Sequence, residues 1–573
     1  MQYPTLNEQY VERQMVNAFA GYNHNLRIGE GEFYDMKNLS SANYPVMSPR
    51  PCRGIYATPT KANGIISKEK LCYIDSESFV IGDERIDMGL SDEPKTLVSM
   101  GAHVIIMPDK KYINTADTDD RGDIEAFVET TDEVSYQLCK LDGSSYEGMI
   151  VSPTEPENPE NMTVWLDTSA VPHTLKQYST LSGTWAAIAT TYIKISSTGI
   201  GEKFEVYDGV TISGVLPDAL RDLNATRSIW AKGDDYIVVT GLIDEVTTQT
   251  EPVTIRREMP ELDFMTEANN RLWGCRYGVD VSGNIVNEIY SSKLGDFKNW
   301  NCFMGISTDS YAASCGSDGA FTGAITHLGY PLFFKETCLH KVYGNFPSNF
   351  QIQTTACRGV QKGCDKSLAI VNEVLYYKSR SAVCAYDGSL PTEMSAQLGE
   401  IKYEQAVAGA HGNKLYISMK DSTDFHLFVY DTLRGMWHKE DNTKVDGFAS
   451  HAGEMYFISN GIIYSVFGTG EPEKDFNWYA ETGIIGVETP DKKYVSRLTV
   501  RLSLEIGTKV TIYAQYDSCG EWEHLYTMTG VHLRSFAVPI RPKRCDHFRL
   551  RIEGKGAANI YSIVKSIEQG SDY

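Results

Sequence analysis

Short bursts of apolar residues separated by turn residues recur along most of the chain, and between Glu404 and Gly468 the same phrase occurs twice in succession. In the first copy Gly412-Asn413 leads into the apolar run Lys414–Met419. After a polar break at Asp421–Asp424 comes His426–Asp431, and the phrase closes on Gly435-Met436-Trp437. In the second copy Gly453-Glu454 leads into Met455–Ser459, Asn460-Gly461 makes the break, and Ile462–Phe467 runs to Gly468. The runs are β-branched and aromatic, as strands favour, and Asn-Gly tolerates the positive φ of a two-residue hairpin. Tandem antiparallel hairpins predict a β-propeller, whose blades must stack to bury their faces.

The phrase also appears at 62–116, in Lys70–Asp75 with Ser78–Gly82 and in Thr96–Gly101 with His103–Pro108. It returns from 257, in Asn269–Cys275 with Asn287–Ser292, in Gly329–Lys335 with Leu339–Gly344, and in Val374–Tyr377 with Ala382–Gly388. At ~40–45 residues per blade, 62–116 and 257–470 together suffice for about six blades, so six or seven are expected. Residues 117–256 read as a β domain inserted between blades, because the interruption starts at a charged loop, where insertions cost least. Its strands include Thr190–Ile195, Gly209–Gly214 and Tyr236–Thr240. Residues 471–573 alternate with period two, as in Arg497–Leu504 and Lys509–Tyr516, and predict a small antiparallel β-sandwich. Residues 1–61 form an N-terminal arm. Its amphipathic stretch Glu8–Phe19 predicts one or two helical turns. The prolines of Tyr44–Pro51 predict an extended segment lying on another surface, and the arm can also lend a strand to close the propeller.

Composition supports a mainly β chain: 34 tyrosines outnumber 21 phenylalanines, and there are 48 glycines. A net charge of -22 argues against a protein that grips nucleic acid, which takes clustered Lys and Arg, but suits a channel wall past which a duplex slides. Gln2–Arg13 is polar where a secretory signal would be apolar, and no apolar run is long enough to cross a bilayer. The expectation is a soluble chain made in the cytoplasm, without stable membrane insertion. The 12 cysteines are scattered singly, without Cys-x-x-Cys pairs, and read as small buried apolar residues.

No catalytic, cofactor-binding or metal-binding constellation emerges, and the chain is not expected to be an enzyme or to need a cofactor. Gly-x-Ser-x-Gly and His-Glu-x-x-His are absent, and Gly359–Ser367 lacks the Gly-Lys-Ser/Thr ending of a phosphate loop. Asp117–Asp123 opens like a calcium loop, but Arg121 and Val128 stand where ligands belong. Arg121-Gly122-Asp123 reads as an exposed turn. Trp273, Trp300, Trp437 and Trp478 read as wedges between blades in preference to sugar-stacking faces, with Trp437 directed at the blade built from Met455–Phe467.

Asn269–Trp273, followed by Glu288–Asp296 and Asn299-Trp300, resembles the propeller repeats of tailed-bacteriophage tail proteins, the hub or nozzle family that includes packaged-DNA stabilisation proteins. Leu332–Lys335 with Tyr343-Gly344, and Leu375–Tyr377 with Tyr386–Gly388, share the resemblance. So does the opening Phe33–Leu39 followed by Tyr44-Pro45 and Arg50-Pro51. It covers the arm and the repeat region. It implies a structural virion protein of the tail: a homo-oligomeric ring, by analogy a hexamer, around a DNA channel, retaining the genome and releasing it at ejection. Its implied partners are adjacent tail or head-tail adaptor proteins and DNA in the lumen, held without sequence-specific binding. The competing expectations are a propeller lectin or receptor-binding tail protein that recognises a host glycan, and, more weakly, a propeller enzyme such as a sialidase or lyase.

Overall fold

A computed structural model describes residues 11–569 except 281, 475, 489, 490 and 531. The chain is mainly β, with 51% of residues in strands against 3% in helix, so architecture here is a matter of sheet pairing. It divides into two compact units. One comprises residues up to Lys95, Phe334–Leu339 and the chain from Thr355 on; the other comprises Thr96–Phe333 and His340–Thr354.

The repeated phrase becomes runs of four antiparallel strands in sequence order. In the first unit these meanders lie at 62–87, 369–393, 406–439 and 447–465. Their leading strands are neighbours in turn: Ala369–Val371 beside Ala406–His411, that beside Gly447–His451, and that beside Ala62–Ser67. The earliest meander is therefore packed on the latest, and Ala62, Leu71, Tyr456, Ile458 and Ile463 make their common core. The latest meander has three strands of its own. Its fourth is the arm strand Gly54–Ala57, which pairs with Ile462–Ser465.

In the second unit the leading strands Thr96–Met100, Phe264–Ala268 and Phe321–His327 are likewise successive neighbours. Met100, Ile105, Met265, Leu272 and Trp300 fill the space between the first two meanders. Cys275, Ile289, Phe321, Phe333 and Val342 fill the space between the second and third.

Arg121–Asp123, placed by its charge pattern in an exposed turn, is instead the fourth strand of the 96–123 meander, with Gly122 opposite Tyr112. Glycine and flanking charges are acceptable there because a sheet edge leaves the side chains in water. The inserted domain begins just after it. Ala126–Glu129 pairs with Thr254–Arg257, so its entering and leaving strands lie side by side. Three sheets share a core that includes Tyr136, Leu166, Ile193, Phe204, Ile237 and Ile255.

From Asn477 onward the chain forms two sheets, and the arm is woven into both. The first runs Val11–Val16, Ala558–Gln569, Lys493–Leu504, Arg534–Val538. The stretch expected to be helical, as far as the described residues reach, is thus a strand in register with the C-terminal one, Val11 opposite Glu568 and Val16 opposite Ile563. An open backbone edge decides the outcome over local helical periodicity. The second sheet has ten strands: the 406–439 meander, then Gly21–Tyr22, Glu32–Lys37, Asn477–Thr482, Phe548–Lys555, Lys509–Tyr516 and Glu523–Thr529. The arm does not lie on a finished surface; it is the seam joining repeat to C-terminal domain.

Candidate functional site

The segment Pro49-Arg50-Pro51-Cys52-Arg53 runs extended, as its prolines dictate, and inserts two arginines into the interior of the first unit. Arg50 is 5% and Arg53 6% exposed. Arg50 grips Glu473 through Nη1 at 2.5 Å and donates from Nε to Asn38 Oδ1 at 2.9 Å. The ring of Phe476 lies 4.0 Å beneath its guanidinium. Arg53 donates to Glu440 at 2.6 Å, Asp441 at 2.8 Å and Thr443 at 3.0 Å, while its backbone N–H donates to Glu473 at 2.8 Å. Burial alone would raise the Asp441 carboxyl; the Arg53 charge, with hydrogen bonds from Thr443 and Arg53, outweighs it and holds the group below its ordinary value. Permanently charged cations locked to carboxylates move no protons, so this cluster fastens the arm to the repeat instead of doing chemistry.

A cavity of about 510 Å3 lies beneath the arm in the C-terminal domain, walled by Phe19, Ile28, Phe33, Ile485, Leu550 and Ile563. Glu12, Gln14, Glu32 and Glu488 also line it, together with Lys565, 3% exposed, whose Nζ donates to both Glu30 oxygens at 2.6 and 2.9 Å. A second buried lysine, Lys493, donates to the carbonyls of Gly486 and Asp546. Both ammonium groups are engaged by protein oxygens, which leaves neither as a nucleophile or base.

The residues singled out by sequence fall into place separately. In the acidic loop, Asp120 accepts from His103 at 2.9 Å and from Asn114, and Asp117 caps the backbone of Asp119. Among the described residues no three His, Cys, Asp or Glu side chains converge as a metal ion would require. In the glycine-bearing segment, Ser367 is turned inward and donates to Cys364 O at 2.6 Å, and Gly359 abuts the carbonyl of Lys335. All cysteines are free; burial pushes Cys72, Cys139, Cys364 and Cys545 up to about 11, where a thiol is inert at neutral pH.

The four tryptophans are all buried, at 3% exposure or less. Trp437, however, does not face the 447–465 meander. In the 406–439 sheet it is opposite Tyr430 and shares its face with Phe428, its ring centroid 4.8 Å from that of Tyr430. Its Nε1–H donates to Met394 O at 2.9 Å, on the preceding meander's side. Leu427 and Val429, on the alternate face, reach Met455 and Phe457. Strand alternation decides which neighbour a side chain meets, and the cross-strand partner of Trp437 fixes it on the Tyr430 face.

No family model and no curated protein matches the chain. Among solved structures, it is similar to the acylaminoacyl peptidase of Pyrococcus horikoshii at 10% identity and a TM-score of 0.25, over 54% of this chain and 55% of that one. The chain thus spans about half the length of that peptidase. An exo-beta-1,3-galactanase of Phanerochaete chrysosporium matches at 7% identity and a TM-score of 0.21, over 52% and 94%. Apo AztD of Citrobacter koseri matches at 10% identity and 0.27, over 74% and 96%. Likenesses this slight transfer no activity.

Proposed function

We propose that this chain is a structural protein of a bacteriophage tail: a β-propeller with an inserted β domain and a C-terminal β-sandwich, assembled with copies of itself as a ring around the DNA channel. Seven meanders of four strands are its blades. The observation that carries the propeller is the packing of the earliest meander on the latest, with the arm supplying the latest one's fourth strand. A row of blades that closes on itself needs such a join, since an open row would leave two apolar faces in water.

The arm's three anchorages, in the C-terminal sheet, at the seam and in the last blade, make a body that resists being pulled apart, as a hub that retains a pressurised genome must. The net charge of -22 suits a surface that lets DNA pass without holding it. The tail assignment itself rests on the resemblance of the repeats and the arm to the hub and nozzle family. Electron microscopy of the virion carrying this chain tests it: a ring of copies on the tail axis is expected, and a single copy off the axis, or absence from the particle, rejects it.

A further inference from the structure

In the C-terminal domain the turn Tyr516-Asp517-Ser518-Cys519 leads out of Lys509–Tyr516 toward Glu523–Thr529 and closes with the Cys519 N–H on Tyr516 O at 3.1 Å. Asp517 and Ser518 have φ of +51° and +50°, two successive left-handed residues where a hairpin would take Asn-Gly with less strain. The chain just ahead of Phe548–Lys555 holds them there. Asp517 donates its N–H to His547 O at 2.9 Å, and its carboxylate accepts from the N–H groups of Asp546 at 2.6 Å and His547 at 3.3 Å.

That clamp sets three side chains in line. Ser518 Oγ lies 2.7 Å from His547 Nε2, and His547 Nδ1 lies 2.9 Å from Asp546 Oδ2. The hydrogen bond from His547, joined by the charges of Lys493 and Lys492, holds the Asp546 carboxyl below its ordinary value. An ionised carboxylate only accepts, so Nδ1 carries the ring proton and Nε2 offers its lone pair to the Ser518 O–H. His103–Asp120 and His426–Asp421 are spaced alike, but among the described residues neither brings a serine to the other ring nitrogen. His340 has Ser317 at 2.8 Å but the Thr354 hydroxyl in place of a carboxylate, and it is wholly buried. At the turn, by contrast, Ser518, Cys519 and Gly520 are all exposed.

A hydroxyl, a neutral imidazole and a carboxylate at these distances are the nucleophile, base and orienting group of acyl transfer. Among the described residues the N–H groups of Ser518 and Gly520 donate to no protein atom, so donors for a developing oxyanion are at hand in the same turn. A Cβ on Gly520 would meet nothing within 4 Å, which leaves the approach open. We infer that Ser518, His547 and Asp546 hydrolyse short-chain carboxylic esters. Ser518 Oγ attacks the ester carbonyl carbon while its proton passes to His547 Nε2; the alcohol leaves with that proton, and Ser518 keeps the acyl group. Water then gives a proton to Nε2 and attacks the acyl carbon, and the carboxylic acid departs as Ser518 recovers its proton. An exposed site suits a short acyl group, and an ester's alkoxide needs less protonation to leave than an amide's nitrogen.

The test is hydrolysis of p-nitrophenyl acetate by the full chain, together with labelling by a fluorophosphonate and mapping of the adduct by mass spectrometry. Saturable turnover and an adduct on Ser518 are expected. Ser518→Gly removes the hydroxyl and suits the positive φ, so folding is not at stake; it is expected to lose the adduct and at least tenfold in kcat/KM. Cys519→Ala is expected to keep both, which sets aside the exposed thiol next door as the nucleophile. Asp546 is a positioning residue: Asp546→Asn offers an N–H to the ring and favours the wrong tautomer, and is expected to lower kcat at least tenfold with KM unmoved. Absence of saturable turnover, an adduct on Cys519 in place of Ser518, undiminished kcat/KM in Ser518→Gly, or an unchanged kcat in Asp546→Asn would each overturn the assignment.

Discussion

Tyr22 stands directly opposite Trp437 in antiparallel register, and through this pair the sheet of the 406–439 meander continues into the arm and on to the C-terminal domain. The approach is close: a Cβ on Gly21 would come within 2.3 Å of Trp437 O, at a φ of +86°. Trp437→Ala removes a wholly buried ring from this seam and is expected to cost ~3–5 kcal/mol in denaturant titration. An unchanged midpoint would mean that the seam bears no load. Gly21→Ala should also destabilise, through the backbone alone, without any loss of apolar area.

His438, next along from Trp437, is pushed down to about 3 from the ordinary 6.5, by burial first and then by the charges of Lys414 and Arg434, against the opposing pull of Asp431. Between those two values the unfolded chain takes up a proton that the folded chain refuses. Stability from this group is therefore complete above pH 6.5 and declines as the pH falls through the window, by at most ~1.4 kcal/mol per unit. A His438→Gln variant should show a flatter dependence of unfolding free energy between pH 6 and pH 5, above the range where carboxylates titrate. Equal slopes in the two proteins would contradict the assignment.

The Lys565–Glu30 pair joins a buried ammonium to a carboxylate whose side chain is 56% exposed. Glu30→Gln leaves the cation buried with a weaker acceptor and is expected to cost ~1–3 kcal/mol. Lys565→Met removes the cation together with its desolvation and should be close to neutral or stabilising. Chemical denaturation of the two variants side by side distinguishes them, and equal losses would show that the charge itself is needed.

Glu125 Oε1 accepts from Met259 N at 3.2 Å, so the two ends of the inserted domain are adjacent. Replacing residues 126–258 with a short Gly/Ser linker should leave a cooperative β fold. The domain is not wholly separate, however: Asp208 accepts from Asn299 Nδ2 at 2.8 Å, and Gly209 N–H donates to Asn299 Oδ1 at 2.8 Å. Loss of those partners should lower stability by ~1–3 kcal/mol, read by thermal melting. A deletion variant without any cooperative transition would show the domain to be integral to the repeat.

The hairpin strands were legible because their signal is local. Lys414–Lys420 and Phe425–Asp431 fall within a residue or two of the apolar runs that predict them, and Gly461 turns where Asn-Gly predicts. Gly54–Ala57 completing the last meander was legible as a possibility of the arm. Val11–Val16 was not: Val11 and Met15 remain exposed, so its apolar residues make no buried face, and only the distant edge of Ala558–Gln569 makes it a strand. The neighbour that Trp437 meets depends on face alternation relative to its partner strand, which requires the register. The meeting of Ser518 with His547 left no trace in the sequence, because only the clamp of the turn on the chain ahead of Phe548–Lys555 brings the two together.

The pairing of Val11–Val16 with Ala558–Gln569 also sets a timetable. During synthesis Val11–Val16 emerges well ahead of its partner strand, which is made more than five hundred residues later. At ~5–20 residues per second that delay is on the order of a minute. Throughout it the arm presents the unpaired strand edge of Val11–Val16 to the crowded cell, and Glu32–Lys37 waits for Asn477–Thr482. The Gly54–Ala57 strand waits almost as long for Ile462–Ser465. This pairing can be sealed only after Ala558–Gln569 has left the ribosome, so a chain truncated ahead of that strand also forfeits the place of Val11–Val16.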